Sequence, residues 1–314
     1  AAIDEASLIK DPTSNRTKAL VKLGKLAVTR RILTGTPATE SPLNLFALFS
    51  FLDINILGFQ SYYAFKAHFA EILSETTGLV QHIMRAQADG KKRRAPQIVA
   101  RDADGLPKYK NLAELQRLID PYSFRVTRSD CQDMPPQLYT TRSVPLSDEQ
   151  EMRYNMAVEQ ILVETEHGEL TIANQMVRLL RLQQITGGFM PHDDGIGRPL
   201  KQHRVEALLS EIEQTQGGVV IWARFRNELT LITHALRKEF GARSVVEYHG
   251  GITADLRTKA KAAFKLETHE QYPEARFFVG NQATGAYGLE LTYADTVYYY
   301  SNLHSLEKRL QSED

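Results

Sequence analysis

The 314-residue sequence is short of several things, and each shortage removes a class of protein. It has one cysteine, Cys131, so no disulfide closes within the chain and no multi-cysteine zinc pattern can be built. A reducing cytosol is the compartment this favours, with Cys131 read as a small buried residue. It has no net charge, 38 basic side chains balancing 38 acidic ones, so no whole-molecule basic field announces a nucleic-acid binder, although a basic cleft on a neutral protein stays open. It has no long apolar run: LNLFALFSFLDINILGF at 43–59 is broken by Asn44, Asp53 and Asn55 and is too short and polar to cross a bilayer. Neither an initiator methionine nor a basic-then-apolar leader is present, and the opening AAIDEAS reads as the end of a strand, as in a piece of a longer protein. No fixed-period repeat or low-complexity tract occurs. Nor is there a GxxxxGK[ST] loop: Gly24-Lys25 is followed by Leu26 and lacks the preceding glycine, which excludes that phosphate cradle from these residues.

What is present is most regular from 201 onward. HRVEALLSEI puts Val205, Leu208, Leu209 and Ile212 on one helical face, Gly217-Gly218 breaks it, and VVIWA reads as a buried strand. A helix with Leu229, Ile232, Leu236 and Phe240 then stops at Gly241, and SVVEY, a helix through Phe264, RFFVG and DTVYYY follow. Such alternation implies a mostly parallel sheet covered by helices on both faces. Ligands bind such sheets at the carboxyl ends of the strands, where ARFRN, HGG, NQATGAYG and SNLH all fall. The first part is less regular. Ser41-Pro42 reads as a cap and first-turn proline before a buried helix, and 61–120 as helices interrupted by the charged loops ADGKKRRAP and RDADGLPKYK. MPPQ at 134–137 reads as a stiff connector, and 147–186 as two further helices.

Two stretches invite chemistry. Asp4-Glu5 after an apolar AAI has the shape of a magnesium-holding and water-activating pair, although such a pair taken alone is more often a solvated helix start. VIWARFRNEL at 220–229 runs an apolar strand into Arg224, Phe225 and Arg226; the arginines suit a phosphate backbone or simply a polar strand-to-helix turn. KKRRAP at 91–96 reads as a solvated charge run, and PHDDG at 191–195 as a turn, because adjacent ligands do not readily wrap one ion. Tyr298 to Tyr300 alternate faces on a strand and so read as packing residues, and Trp222 reads as core.

Taken in order, these segments resemble the motifs of the Swi/Snf-type ATPases of helicase superfamily two. DEASLIKDPTSNRTKAL at 4–20 and RRILTGTPATESPLNLFALFSFL at 30–52 resemble the second and third motifs. VPLSDEQEMRYNMAV is similar to the family's Leu-Ser-x-x-Gln segment and LLRLQQITGGF to its Leu-Arg-x-x-x-Ile helix. VVIWARFRNEL resembles motif four, EYHGGITADLRTKAKAAF the strand, loop and helix after it, and VGNQATGAYGLELTYADTVYYYSN motif five. LEKRLQSED resembles the opening of motif six, whose arginines are expected beyond Asp314. The strings IWARF and RLQSED resemble phage and prophage helicases of this type.

The resemblance implies an α/β protein of two RecA-like lobes, parallel sheets with helices on both faces, closing on ATP, with helical insertions and an incomplete first lobe. The expected divisions are 1–142, with a helical insertion at about 60–120, a helical linker at 143–200, and a second lobe at 201–314 lacking its end. Asp4 is expected to hold Mg²⁺ through water and Glu5 to position the attacking water. Thr34, Gly35 and Thr36 match the motif that couples nucleotide state to lobe closure, and Gly288 and Gln311 fall nearer the nucleotide. Arg224, Phe225, His249, Gly250, Thr284 and Gly285 fall at loops facing the nucleic-acid backbone. The implied partner is DNA, duplex DNA first, and the implied setting the cytoplasm of a bacterial or phage-infected cell. Two residues depart from the pattern: Ser7 stands where the acidic box often has His, and Glu290 where Asn or Thr is usual. A carboxylate there repels phosphate unless an arginine pairs with it. The expectation is an ATP-driven DNA translocase; the alternative is a non-catalytic nucleic-acid or protein-binding module on the same fold.

Overall fold

The computed structural model describes residues 1–38, 40–74, 77, 80, 96–126, 130, 137–166, 172–190, 197–285 and 288–313. Cys131, most of KKRRAP and MPPQ, and PHDDG lie outside them. The chain divides into two compact units, Ala1–Gln137 and Leu138–Asp314.

In the first unit, β1 (Ala2–Ile3) runs parallel to β2 (Arg31–Ile32), with Ala2 opposite Arg31 and Ile3 opposite Ile32. Between them lies α1 (Asn15–Gly24), started by Ser14, whose hydroxyl accepts from the Thr17 N–H at 3.2 Å. α2 (Leu45–Leu52) is apolar on nearly every side and is buried accordingly. The Ser41-Pro42 signal starts a short 3₁₀ turn, Pro42–Asn44, that leads into it. α3 (Tyr62–Phe69) adds Phe65 and Phe69, whose ring centroids lie 4.7 Å apart, and Phe46 reaches Phe65 at 5.3 Å. α4 (Leu112–Ile119) closes the core with Leu115. The expectation of helices and loops over 61–120 needs one correction: single antiparallel bridges join Ala70 to Tyr109, Ile72 to Val99 and Arg101 to Pro107. A bridge one residue pair long has no alternation for the sequence to display.

The second unit opens with α5 (Asp148–Glu166) and α6 (Ile172–Thr186). Ser147 and Gln150 cap α5 reciprocally, Gln150 N–H to the Ser147 hydroxyl and Ser147 N–H to Gln150 Oε1, both at 3.2 Å. Gln150 Nε2 also donates to the Ile185 carbonyl at 2.9 Å and so ties the start of α5 to the end of α6. After a short antiparallel pair, β3 (Phe189–Met190) with β4 (Arg198–Pro199), the alternation is as expected: α7 (Arg204–Glu213), β5 (Gly218–Trp222), α8 (Arg226–Phe240), β6 (Val245–Tyr248), α9 (Ala254–Ala263), β7 (Phe277–Gly280), the short α10 (Gln282–Gly285), β8 (Ala294–Tyr299) and α11 (Leu306–Gln311).

The four long strands form one parallel sheet in the order β6-β7-β5-β8. All five residues of central β5 are buried, and its alternation serves two cores. Val219 and Ile221 pack with Leu208, Ile212, Leu229, Ile232 and Leu236 on one face. Val220 and Trp222 pack with Ala260, Ala263 and Phe264 on the other. Helices therefore cover both faces, which is why VVIWA is apolar throughout rather than alternating. Gly241, at φ +95°, ends α8.

Candidate functional site

The register of β1 against β2 carries both chains off one edge of the pair. Leu33 N–H donates to the Ile3 carbonyl at 2.8 Å and Ala6 N–H to the Leu33 carbonyl at 3.0 Å, so Asp4-Glu5 and Thr34-Gly35-Thr36 leave side by side. Glu5 stands at φ +50°, ψ +48°, left-handed and unusual for a side chain with a Cβ. That conformation costs on the order of 1 kcal/mol and turns the chain sharply into the 3₁₀ turn Ala6–Ile9. Asp4 Oδ1 accepts from the Glu5 N–H at 2.9 Å. Thr36 N–H donates to Thr34 Oγ1 at 3.2 Å. The hydroxyls of Ser7 and Thr36 are buried with no hydrogen-bond partner, and a side chain at Gly35 would meet nothing within 4 Å. The loops thus pair an exposed carboxylate with open space and unsatisfied hydroxyls. Among the described residues no group of three His, Cys, Asp or Glu side chains could cage a metal ion. The exposed Asp4 carboxylate is a hard oxygen donor of the kind Mg²⁺ accepts, since that cation keeps most of its waters and takes one or two carboxylates plus substrate phosphate.

In the second unit the parallel sheet delivers four loops to one edge, and Asn281 joins three of them. Its N–H donates to the Tyr248 carbonyl at 3.1 Å. Its side-chain amide donates to the carbonyls of Ala223 at 3.1 Å and Arg224 at 2.6 Å. Its Oδ1 accepts from the Ala283 N–H at 2.8 Å, starting α10. The fourth loop enters through Ser301, whose hydroxyl accepts from the Arg224 N–H at 2.8 Å and donates to Glu228.

The Arg224 guanidinium donates to Gln183 Oε1 on α6 and lies 5.3 Å from the Phe225 ring centre. Burial lowers its pKa and Glu228 opposes that shift. Phe225 packs edge-on against Phe189, centroids 5.3 Å apart. His249 is used inside its own loop: Nδ1 accepts from the Gly251 N–H at 3.0 Å, so Nε2 carries the proton and faces Glu247 Oε2 at 3.4 Å. Gly250 is exposed, with nothing within 4 Å of where a Cβ would stand. Thr284 and Gly285, expected in a loop, belong to α10. A Cβ on Gly285 would stand 2.5 Å from the Trp222 ring, so that glycine is required for packing. Gly288, at φ +64°, is exposed and open, its carbonyl 3.4 Å from Lys261 Nζ. Gln311 lies at the end of α11, beside Ser312, whose hydroxyl meets Tyr299 Oη at 2.9 Å. Glu290 pairs with Lys265 at 2.9 Å rather than with an arginine.

Sequence reading did not single out Asn281, Ser301, Glu228 or Gln183. Asn281 alone carried a signal, an asparagine directly after a strand and before a helix. Glu228 is fully buried, and desolvation raises its pKa against the opposing hydrogen bonds from Ser301 and Phe225.

The SNF2-related domain family matches residues 1–194. The chain is similar in structure to the Sulfolobus solfataricus SWI2/SNF2 ATPase core domain, at 21% identity over 99% of this chain and 58% of that one, TM-score 0.47. It is similar also to the Sulfolobus solfataricus SWI2/SNF2 ATPase C-terminal domain, at 22% identity over 50% of this chain and 69% of that one, TM-score 0.40. A third likeness is to the Pyrococcus furiosus Hef helicase domain, at 12% identity over 99% and 67% of the two chains, TM-score 0.33. No curated protein matches in sequence. The chain spans 58% of the length of the first of these structures.

Proposed function

Because the chain belongs to the SNF2-related domain family, we propose that it is the central part of an ATP-driven motor that moves along the backbone of DNA, duplex DNA in the first instance. It works in the manner of phage and prophage helicases of this type, in the cytoplasm of a bacterial or phage-infected cell. Residues 1–142 belong to a first RecA-like lobe with an insertion at about 60–120, 143–200 to a helical linker, and 201–314 to a second lobe. Mg²⁺, when bound, would stabilise the charge that develops as the terminal phosphoryl group of ATP passes to water. Asp4 would hold the ion through water, and the adjacent Glu5 carboxylate orients the attacking water and takes up its proton. Thr34, Gly35 and Thr36, with Gly288 and Gln311, sense the nucleotide. Arg224, Phe225, His249, Gly250 and Thr284, with Gly285 seated behind them on Trp222, meet the sugar-phosphate backbone, which repeats identically at every step as a sequence-indifferent motor requires.

The observation that carries this reading is the shared edge of the parallel sheet, where Asn281 ties the Arg224 loop to the ends of β6 and β7. Nucleic acid meeting one loop there meets a connected set. The test is ATP hydrolysis with and without DNA, together with strand displacement, by the full-length protein. DNA-stimulated hydrolysis supports the motor. DNA binding without hydrolysis supports the non-catalytic module instead. The 314-residue chain alone is expected not to hydrolyse ATP, since its sequence has no GxxxxGK[ST] loop to clamp the phosphates, and DNA-stimulated turnover by it would overturn that division of labour.

A further inference from the structure

We propose that Glu228 and Ser301 are positioning residues for Arg224: one buried carboxylate oxygen fixes the consecutive backbone N–H groups of Arg224 and Phe225, the second directly and the first through the Ser301 hydroxyl. The proposal rests on the reading that Arg224 meets a nucleic-acid backbone.

The directions of these hydrogen bonds follow from the chemistry of the groups. Arg224 N–H can only donate, so Ser301 Oγ accepts from it at 2.8 Å. The Ser301 proton is then free to go to Glu228 Oε2, which lies within hydrogen-bond distance. Phe225 N–H donates to the same oxygen at 3.0 Å. Glu228 is fully buried, whereas Arg224, Phe225 and Ser301 are half-buried, so losing an acceptor trades a fixed partner for, at best, a mobile water. Its other oxygen, Oε1, has no hydrogen-bond partner and stands 2.6 Å from where a Cβ on Gly187 would be, so the carboxylate is wedged between the end of α6 and the start of α8.

A helix cap alone does not account for this. Capping α8 needs only the Phe225-to-Glu228 bond. The Ser301 hydroxyl serves Arg224, which lies outside the helix, and brings the loop after β8 to bear on it. That loop runs on into α11, which carries Gln311.

The experiment measures binding of fluorescently labelled duplex DNAs of unrelated sequence by the 314-residue chain across a salt series. It compares wild type, Arg224→Ala, Ser301→Ala, Glu228→Gln and the Arg224→Ala/Ser301→Ala double variant, with amide hydrogen exchange at Arg224 and Phe225 and a thermal melt to show that each is folded. Ser301→Ala is expected to speed exchange at Arg224 but not at Phe225, and to weaken binding about three- to tenfold on every sequence. In the Arg224→Ala background it costs nothing further. Glu228→Gln keeps an acceptor for both donors, so both amides stay protected and binding is no weaker than wild type. A further loss in the double variant, wild-type affinity in a Ser301→Ala chain whose Arg224 amide exchanges faster, or weakened binding in Glu228→Gln would each overturn the positioning role. Failure of the underlying reading looks different: Arg224→Ala itself leaves affinity and salt dependence unchanged.

Discussion

The side-chain amide of Asn281 donates to the carbonyl oxygen of Arg224 at 2.6 Å, across 57 positions of sequence. The residue between β7 and α10 thereby ties down the first turn out of β5, at the carbonyls of Ala223 and Arg224.

Replacing Asn281 tests that base. Asn281→Ala removes both donors to the carbonyls of Ala223 and Arg224 and is expected to cost about 1–3 kcal/mol in denaturant unfolding. Asn281→Asp should be worse at neutral pH, since it turns carboxylate lone pairs toward two carbonyl oxygens, and should recover as acid protonates it. Equal stability of the two variants at neutral pH would show that the amide is not the tie.

Gly285→Ala places a methyl against the Trp222 ring. Close packing leaves the indole no room, so the expected loss is about 1–3 kcal/mol, read as a lowered melting temperature. An unchanged melt would mean that α10 moves aside at no cost.

The buried Glu228 carboxyl makes stability depend on pH. Desolvation raises its pKa above the ordinary 4.5, so between that value and its raised folded value the folded chain keeps a proton that the unfolded chain releases. Stability from this group is complete below pH 4.5 and is lost as pH rises through the folded pKa. Melting temperatures taken across that window should fall more steeply for wild type than for Glu228→Gln. Parallel curves would assign the slope to other groups.

In the full-length protein, Glu5→Gln is expected nearly to abolish hydrolysis while leaving ATP binding intact, because the role proposed for the carboxylate is on water rather than on bound phosphate. Turnover and nucleotide affinity, measured together, decide it: undiminished turnover would leave Glu5 as the residue that starts the 3₁₀ turn Ala6–Ile9 and nothing more.

How much of this was legible depended on whether a feature repeats. The β5-to-α8 unit was readable because Val219 to Ala223 are apolar throughout and Leu229, Ile232 and Leu236 recur at helical spacing. Asp4-Glu5 and Thr34 to Thr36 stood out by their order along the chain, and the parallel pairing of β1 with β2 sets them side by side. The Glu228–Ser301 contact, 73 positions long, has no period and no local neighbour to mark it. A serine after a strand and a glutamate in the first turn of a helix are ordinary until the sheet order brings β8 beside β5. The bridges at Ala70, Ile72 and Arg101 escaped for the related reason that each is a single pair.

Trp222 is the only tryptophan in the sequence. Its ring lies where Cβ atoms on Gly280 and Gly285 would be, and it is two residues from Arg224. The chain therefore carries its own optical probe at the edge where the four loops meet. Indole emission is sensitive to solvent and to nearby dipoles, so a change of intensity or wavelength on adding DNA would report a change in the packing around this ring without any label, and the same signal in a stopped-flow instrument would time it.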